Sequence, residues 1–459
     1  MADTHAPEHY QLVVEYLSFR MWIARVTPWV LRCRWDGRVI IDVSYVDASP
    51  MGYRCARWFG YLLRTASPVA RFSFRLIDLR DAQGLLLSIR IAAQDIAELQ
   101  HAISTESRSV RLLARWCGDD AACARAVTKD VAAVSYAGQG TLWRAMLLIH
   151  ACHQHARGAC PPGAPVLFLE QRPWFDALRR YAERYGVRLV AVPSRWTWSA
   201  VVDRMIGAHG MLVLRMARNW LHAFRMRLRE QHPIVSGTIP RDDRSGACIA
   251  VEYSGQMSLD VPGRYSDLFF YQQSALAGSD LLLLFPFPQD PLDDEKWGVL
   301  TRHGIRAAAL YPGASTVTSV PPFSCRLPLR SVHLDVPRGR TRSRDERWVR
   351  GKAEAFRAQR LFWQSFFSAE GVRVYVSWYR YDTRHHAMTA AIRALGGVGA
   401  IYQRAVQDYP SPAIAVEADV MFGYAPFDAT IERQSGSVIP YHVAVGYLHD
   451  QFLTALRGI

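Results

Sequence analysis

At 459 residues the chain can hold two or three domains of about 150 residues, each with its own core, which excludes a peptide or a disulfide-stapled miniprotein. Hydrophobic residues make up 50% and charged residues 21%, with mean hydropathy −0.05, the balance of a folded globular chain rather than a disordered or membrane-spanning one. The formal charge is +14, and of the 55 basic residues all but Lys129, Lys296 and Lys352 are arginines. A GC-rich genome produces that skew without selection for nucleic acid, yet the summed field favours anionic partners such as phosphates, nucleotide-linked substrates or an acidic leaflet.

Met1-Ala2-Asp3-Thr4-His5 carries an acid and no apolar run, so no secretory signal is read. The eight cysteines show no CxxC spacing, which points to reduced thiols and a cytoplasmic location. No window reaches the roughly 18 uncharged apolar residues of a spanning helix.

Residues 1–130 read as an α+β region, with strand-like runs at Arg38 to Val43, Phe72 to Ile77 and Leu85 to Ile91 among helical stretches. From Val131 strand, turn and helix alternate. Strands are expected at Val131 to Tyr136, Val166 to Leu169, Val187 to Val192, Cys248 to Tyr253, Leu281 to Phe285 and Ile305 to Leu310, with helices at Leu142 to His155 and Trp174 to Tyr185. Short apolar strands between helices indicate a parallel sheet, hence a Rossmann-like α/β domain over 131–336. Residues 337–371 read as a basic linker and helix, holding Arg338, Arg340, Arg342, Arg344, Arg347 and Arg350. A second α/β unit is expected over 372–459, with strands at Val372 to Trp378, Val398 to Gln403, Asp419 to Tyr424 and His442 to Tyr447 and a helix at His386 to Leu395; it reads as truncated, because the alternation stops soon after it starts.

Ligands of open α/β sheets bind at the carboxyl ends of strands, so residues following strands are the candidates. Tyr379-Arg380-Tyr381-Asp382-Thr383-Arg384-His385-His386 is the densest such cluster, at a helix start that suits anions. Asp382 reads either as a helix cap or as a base oriented with His385. Tyr402-Gln403-Arg404 and Tyr424 add aromatic and polar groups of the kind found in sugar or nucleotide sites. Glu170-Gln171-Arg172 and Glu252-Tyr253 follow apolar strands, where a carboxylate can be tuned as a base or can simply pair with arginine.

Gly138-Gln139-Gly140 reads as a phosphate turn or a plain tight turn, and it lacks the third glycine of a dinucleotide fingerprint. His150, Cys152, His153, His155 and Cys160 lack a second ligand pair at zinc spacing. Within Ala200 to Arg229, Arg215, Arg218, His222, Arg225 and Arg229 recur at helical spacing beside an apolar stripe; residues 211–229 thus fit a helix at an anionic membrane surface or one packed on a core.

Phe168-Leu169-Glu170-Gln171-Arg172-Pro173-Trp174-Phe175, Tyr265-Ser266-Asp267-Leu268-Phe269-Phe270 with Gln272-Gln273-Ser274, and Pro288-Gln289-Asp290-Pro291-Leu292-Asp293 resemble blocks of bacterial surface-polysaccharide biosynthesis proteins related to two-domain (GT-B) glycosyltransferases. Trp378-Tyr379-Arg380-Tyr381-Asp382 with His385, and Tyr402-Gln403-Arg404, resemble later blocks. The resemblance covers 165–459 and implies a GT-B-like fold and a cytoplasmic, peripherally membrane-attached transferase that moves a sugar from a nucleotide donor to a glycan or lipid-linked acceptor. Relatives of this kind continue into a further donor-binding half. On that reading Asp382 or Glu252 is the base, His385 a proton or phosphate partner and Arg404 an anion contact. Glu170, Arg172, Tyr253, Gln272, Gln273, Trp378, Tyr379, Tyr381, Tyr402 and Gln403 complete the substrate site. No metal or cofactor is expected, nor nucleic acid, because the arginines are spread through helices and a linker rather than along a groove. The rival is a non-catalytic sugar-binding or scaffold protein of the same pathway.

Overall fold

Runs of three to ten residues form twelve strands among the described residues, and every strand pairing is parallel. In the computed structural model the described residues are 8–34, 39–62, 69–71, 78–132, 142–158, 165–192, 248–260, 266–271, 274–286, 290–310, 314–317, 319, 341, 343–381, 383–407 and 409–447. The chain divides into an N-terminal unit (Met1–Glu106 with Val134–Phe224) and a C-terminal unit (Ser107–Ala133 with Arg225–Ile459).

The N-terminal unit begins with β1 (Glu8–Leu17), followed by α1 (Phe19–Met21), a π-turn (Trp22–Val26) and α2 (Thr27–Arg34) as one winding. Then come β2 (Val39–Ala48), α3 (Pro50–Leu62), β3 (Val69–Arg71), α4 (Leu87–Arg90), a second π-turn (Ile91–Asp95) and α5 (Ile96–Thr105). The next two helices, α6 (Ser107–Cys117) and α7 (Ala121–Ala132), belong to the C-terminal unit. The N-terminal unit resumes with α8 (Leu142–Gly158), β4 (Val166–Glu170), α9 (Phe175–Arg184) and β5 (Arg188–Val192). Its sheet runs β3-β2-β1-β4-β5, with Leu12, Val14, Leu17, Val166 and Phe168 in the core.

Residues 1–130 therefore do not form a separate α+β region: β1 to β3 join β4 and β5 in one parallel sheet, and α6 and α7 go to the other unit. Leu85 to Ile91, read as a strand, is instead α4 entering a π-turn, with Leu87 and Ile91 buried one helical turn apart. A short apolar run does not distinguish the two by periodicity. The expected strand at Val131 to Tyr136 begins inside α7, and its remainder lies outside the described residues, as does Phe72 to Ile77.

In the C-terminal unit β6 (Cys248–Glu252), β7 (Leu281–Phe285), α10 (Asp294–Arg302), β8 (Arg306–Ala309) and α11 (Arg344–Glu370) are followed by β9 (Val372–Ser377), α12 (Arg384–Ala394), β10 (Val398–Tyr402), β11 (Val420–Gly423), α13 (Asp428–Ser435) and β12 (Tyr441–Ala444). The sheet order is β12-β11-β10-β9-β6-β7-β8. The basic segment is thus no domain boundary, since β8 before it and β9 after it share a sheet. Strands β9 to β12 join β6 to β8 in one seven-stranded sheet rather than forming a second α/β unit of their own. Helix α11 starts where Ser343 Oγ accepts from Glu346 N at 3.1 Å and stops at Gly371, φ 65°. It stacks Trp363 on Phe367 (5.6 Å) and Phe367 on Tyr375 of β9 (5.7 Å). Helices α6 and α7 are tied to this sheet by Arg360–Asp120 (2.7 Å), Arg125–Glu417 (2.7 Å) and Lys129, which donates to Ala415 O (2.6 Å) and to Arg380 O. Among the described residues no helix is long and apolar enough to cross a membrane.

Candidate functional site

In both sheets the first strand of the unit lies between the second and the fourth, the doubly wound order. The chain leaves those two central strands toward opposite edges, which opens a crevice at their carboxyl ends. In the C-terminal unit the crevice lies between β6 and β9; in the N-terminal unit, between β1 and β4.

At the β6/β9 crevice the chain after β6 turns through Tyr253, Ser254 and Gly255, whose φ of 99° suits glycine. Asp267, fully buried, holds the turn: it accepts from Ser254 N (2.7 Å), Gln256 N (3.2 Å) and the Ser254 hydroxyl. Burial raises its carboxyl above the usual range, against the hydrogen bonds from Ser254 and Gln256 and the charge of Arg404. Arg404, following β10, donates Nη1 to Ser254 Oγ (2.5 Å) and stacks 4.6 Å from the Trp378 ring centroid. One guanidinium thus links the ends of β10, β6 and β9. Trp378, Tyr379 and Tyr381 form a run of edge-to-face rings 5.6 and 5.8 Å apart, with Tyr381 44% exposed. Among the described residues the Trp378 indole N–H has no hydrogen-bond partner. On the other side Tyr253 donates to Asp290 (2.9 Å), which pairs with Lys296 (2.9 Å); burial first, then Asp290, pushes the Tyr253 phenol up.

Other expected site residues hold the crevice together instead of facing it. Glu252 is buried and accepts from Ser377 Oγ (2.5 Å), Tyr375 OH (3.2 Å) and Arg384, so both its oxygens clamp β6, β9 and α12. Tyr402 packs in the core against Phe269 (5.6 Å), which replaces the expected substrate contact. Gln403 is buried, accepts from Tyr424 N (3.0 Å) and donates to Ala405 O (3.2 Å), bracketing two loops. Arg380 pairs with Glu432 (2.5 Å) and donates to Ile414 O (2.6 Å). His385 is buried in the first turn of α12 with neither ring nitrogen hydrogen-bonded among the described residues. Burial first, then the charges of Lys129, His386, Arg380 and Arg384, hold it neutral far below the usual histidine range.

The N-terminal crevice is built around Glu15. Its carboxylate pairs with Arg172 and accepts from Glu170 N (3.1 Å), with Arg144 at 3.6 Å. Arg172 is thereby buried, and Trp174 just beyond takes a left-handed conformation (φ 60°, ψ 30°) before α9, costly for a bulky side chain. In the same unit Asp95, at the end of its π-turn, accepts from Tyr181 OH (2.5 Å), which lies 2.7 Å from His150 Nε2.

Of the residues expected to form a site, Tyr253, Trp378, Tyr379, Tyr381 and Arg404 gather at the β6/β9 crevice. Glu170 and Arg172 belong to the N-terminal unit. Asp382, Gln272, Gln273, the 138–140 turn and the 211–229 helix lie outside the described residues. Sequence reasoning missed Ser254, Asp267 and Asp290 as a connected group; the glycine at 255 straight after a strand was the available signal. Among the described residues no group of three or more His, Cys, Asp or Glu side chains could hold a metal ion. No family model, curated protein or solved structure matches the chain.

Proposed function

We propose that the chain is a glycosyltransferase-like protein that takes a nucleotide-linked sugar at the β6/β9 crevice of its C-terminal unit. Two parallel sheets of doubly wound order in one chain support this reading, and they are the architecture on which a GT-B enzyme is built. The observation that carries it is Arg404, stacked on Trp378 and bonded to Ser254 beside Tyr379 and Tyr381. Aromatic faces stack on a base or sugar, the indole N–H offers a hydrogen bond, and the guanidinium with the α12 N-terminus attracts a diphosphate.

The test is calorimetric titration with a panel of nucleoside diphosphates and their sugars. One member of the panel should bind, more weakly by about tenfold or more in Arg404→Gln and Trp378→Leu, the scale of a lost charge-assisted contact. Absence of binding across the panel, or equal affinity in both variants, refutes the reading. A non-catalytic binding role is favoured by one observation, the commitment of both Glu252 oxygens to Arg384, Ser377 and Tyr375. That role predicts binding with no release of nucleoside diphosphate over time.

A further inference from the structure

The N-terminal unit carries a surface that its own core leaves bare. Helix α1, its π-turn and α2 bury Met21, Trp22 and Val26 against β1, while Phe19, Ile23 and Leu31 point outward, Ile23 at 51% exposure. Helix α3 packs beside α1, with Gly52 so close to the Leu17 carbonyl that a side chain there would overlap it. Its outer face shows Tyr53, Arg54, Arg57 and Trp58, with Trp58 64% exposed. Arg20 and Arg25 are exposed on the first winding, and Arg57 lies over the Tyr53 ring at 5.8 Å. Residues 19–34 and 50–62 contain six arginines and no Asp or Glu.

We infer that this α1–α3 surface docks on an anionic lipid bilayer. Exposed Trp, Tyr, Phe and Ile bury in the boundary between headgroups and acyl chains, and the exposed guanidiniums of Arg25, Arg54 and Arg57 complement anionic headgroups. A protein partner would need acidic groups around an apolar centre. A bilayer supplies both chemistries over any footprint, and it accommodates two helices of different pitch without shape complementarity. The inference does not depend on the sugar-nucleotide reading, and it places the contact on α1 and α3 rather than on residues 211–229.

Flotation of the full chain with phosphatidylcholine vesicles, with and without phosphatidylglycerol, tests it. The protein should float only with the anionic vesicles and should detach at high salt, which screens surface charge. Arg25→Gln, Arg54→Gln and Arg57→Gln together should weaken partitioning about 100-fold. Ile23→Ser with Trp58→Ser should weaken it about tenfold or more. All five residues are exposed, so the thermal melts of both variants should match wild type. Unchanged partitioning in both variants, or loss only with Arg218→Glu and Arg225→Glu, overturns the inference. So does a concentration-dependent dimer, or RNA binding, that disappears with Trp58→Ser while vesicles are ignored.

Discussion

Glu417 concentrates more opposite charge than any other acid named above, and replacing it measures how firmly α7 is fastened to the C-terminal sheet. Its carboxylate accepts from Arg125 on α7 (2.7 and 3.1 Å) and Arg393 on α12 (2.6 Å), with His386 at 3.5 Å. Burial opposes ionisation, yet the hydrogen bonds from His386 and Arg125 and the Arg125 charge hold its pKa down at about 2, against 4.5 ordinarily. That depression corresponds to about 3 kcal/mol of stability at neutral pH. The sign follows from proton uptake. As pH falls below 4.5 the unfolded chain binds the proton first, so the contribution erodes until the folded carboxylate also protonates near 2. Urea denaturation followed by tryptophan fluorescence should show Glu417→Gln weakening the C-terminal transition by about 3 kcal/mol at pH 7. The gap should shrink to about 1 kcal/mol by roughly pH 3. The N-terminal transition should not move. A gap independent of pH, or one below about 0.5 kcal/mol at pH 7, would show that the arginines are held by other groups and that the charge argument is wrong.

Arg380→Ala should destabilise the C-terminal unit by about 3–5 kcal/mol, because Glu432 is left buried and uncompensated, and adding Glu432→Ala should recover part of the loss; additive losses in the urea transition would contradict this. Tyr181→Phe should lower the N-terminal transition by about 1–3 kcal/mol by stripping Asp95 of a buried donor, and a melt identical to wild type would show that water or His150 replaces the hydroxyl.

Among the described residues from Val166 onward, strands were legible within a few residues because they are short apolar runs such as Leu281 to Phe285, whereas α10 and α13 were not singled out and α11 already holds Arg344, Arg347 and Arg350 of the stretch read as a basic linker. Domain membership was not legible. Helices α6 and α7 have ordinary amphipathic sequences, and what assigns them to the C-terminal unit is pairing of Arg125 with Glu417 and of Asp120 with Arg360, 292 and 240 positions away. Nothing local to residues 107–132 announces those partners. The basic segment misled for the same reason, since composition marks a solvated stretch but not whether the strands on either side share a sheet. Among site residues, Arg404 and Trp378 were legible as polar and aromatic groups after strands. Glu252, Gln403 and Arg380 fit that rule equally well, and only their burial against Arg384, Tyr424 and Glu432 separates brackets from contacts.

That separation bears on how any loss of function is read. Parallel strand ends carry carbonyls and turns that need polar partners, so a doubly wound sheet gathers charged side chains at its carboxyl edge whether or not a ligand binds there. Glu252, Arg380 and Gln403 meet this structural demand by bonding to groups within the unit, and changing any of them alters binding through the fold. Trp378, Tyr379, Tyr381 and Arg404 stand in the same place with partly exposed faces. A ligand-dependent effect at these four, with the urea transitions unmoved, therefore reports on recognition, whereas an effect at the buried three has to be divided by the change in stability before it says anything about a site.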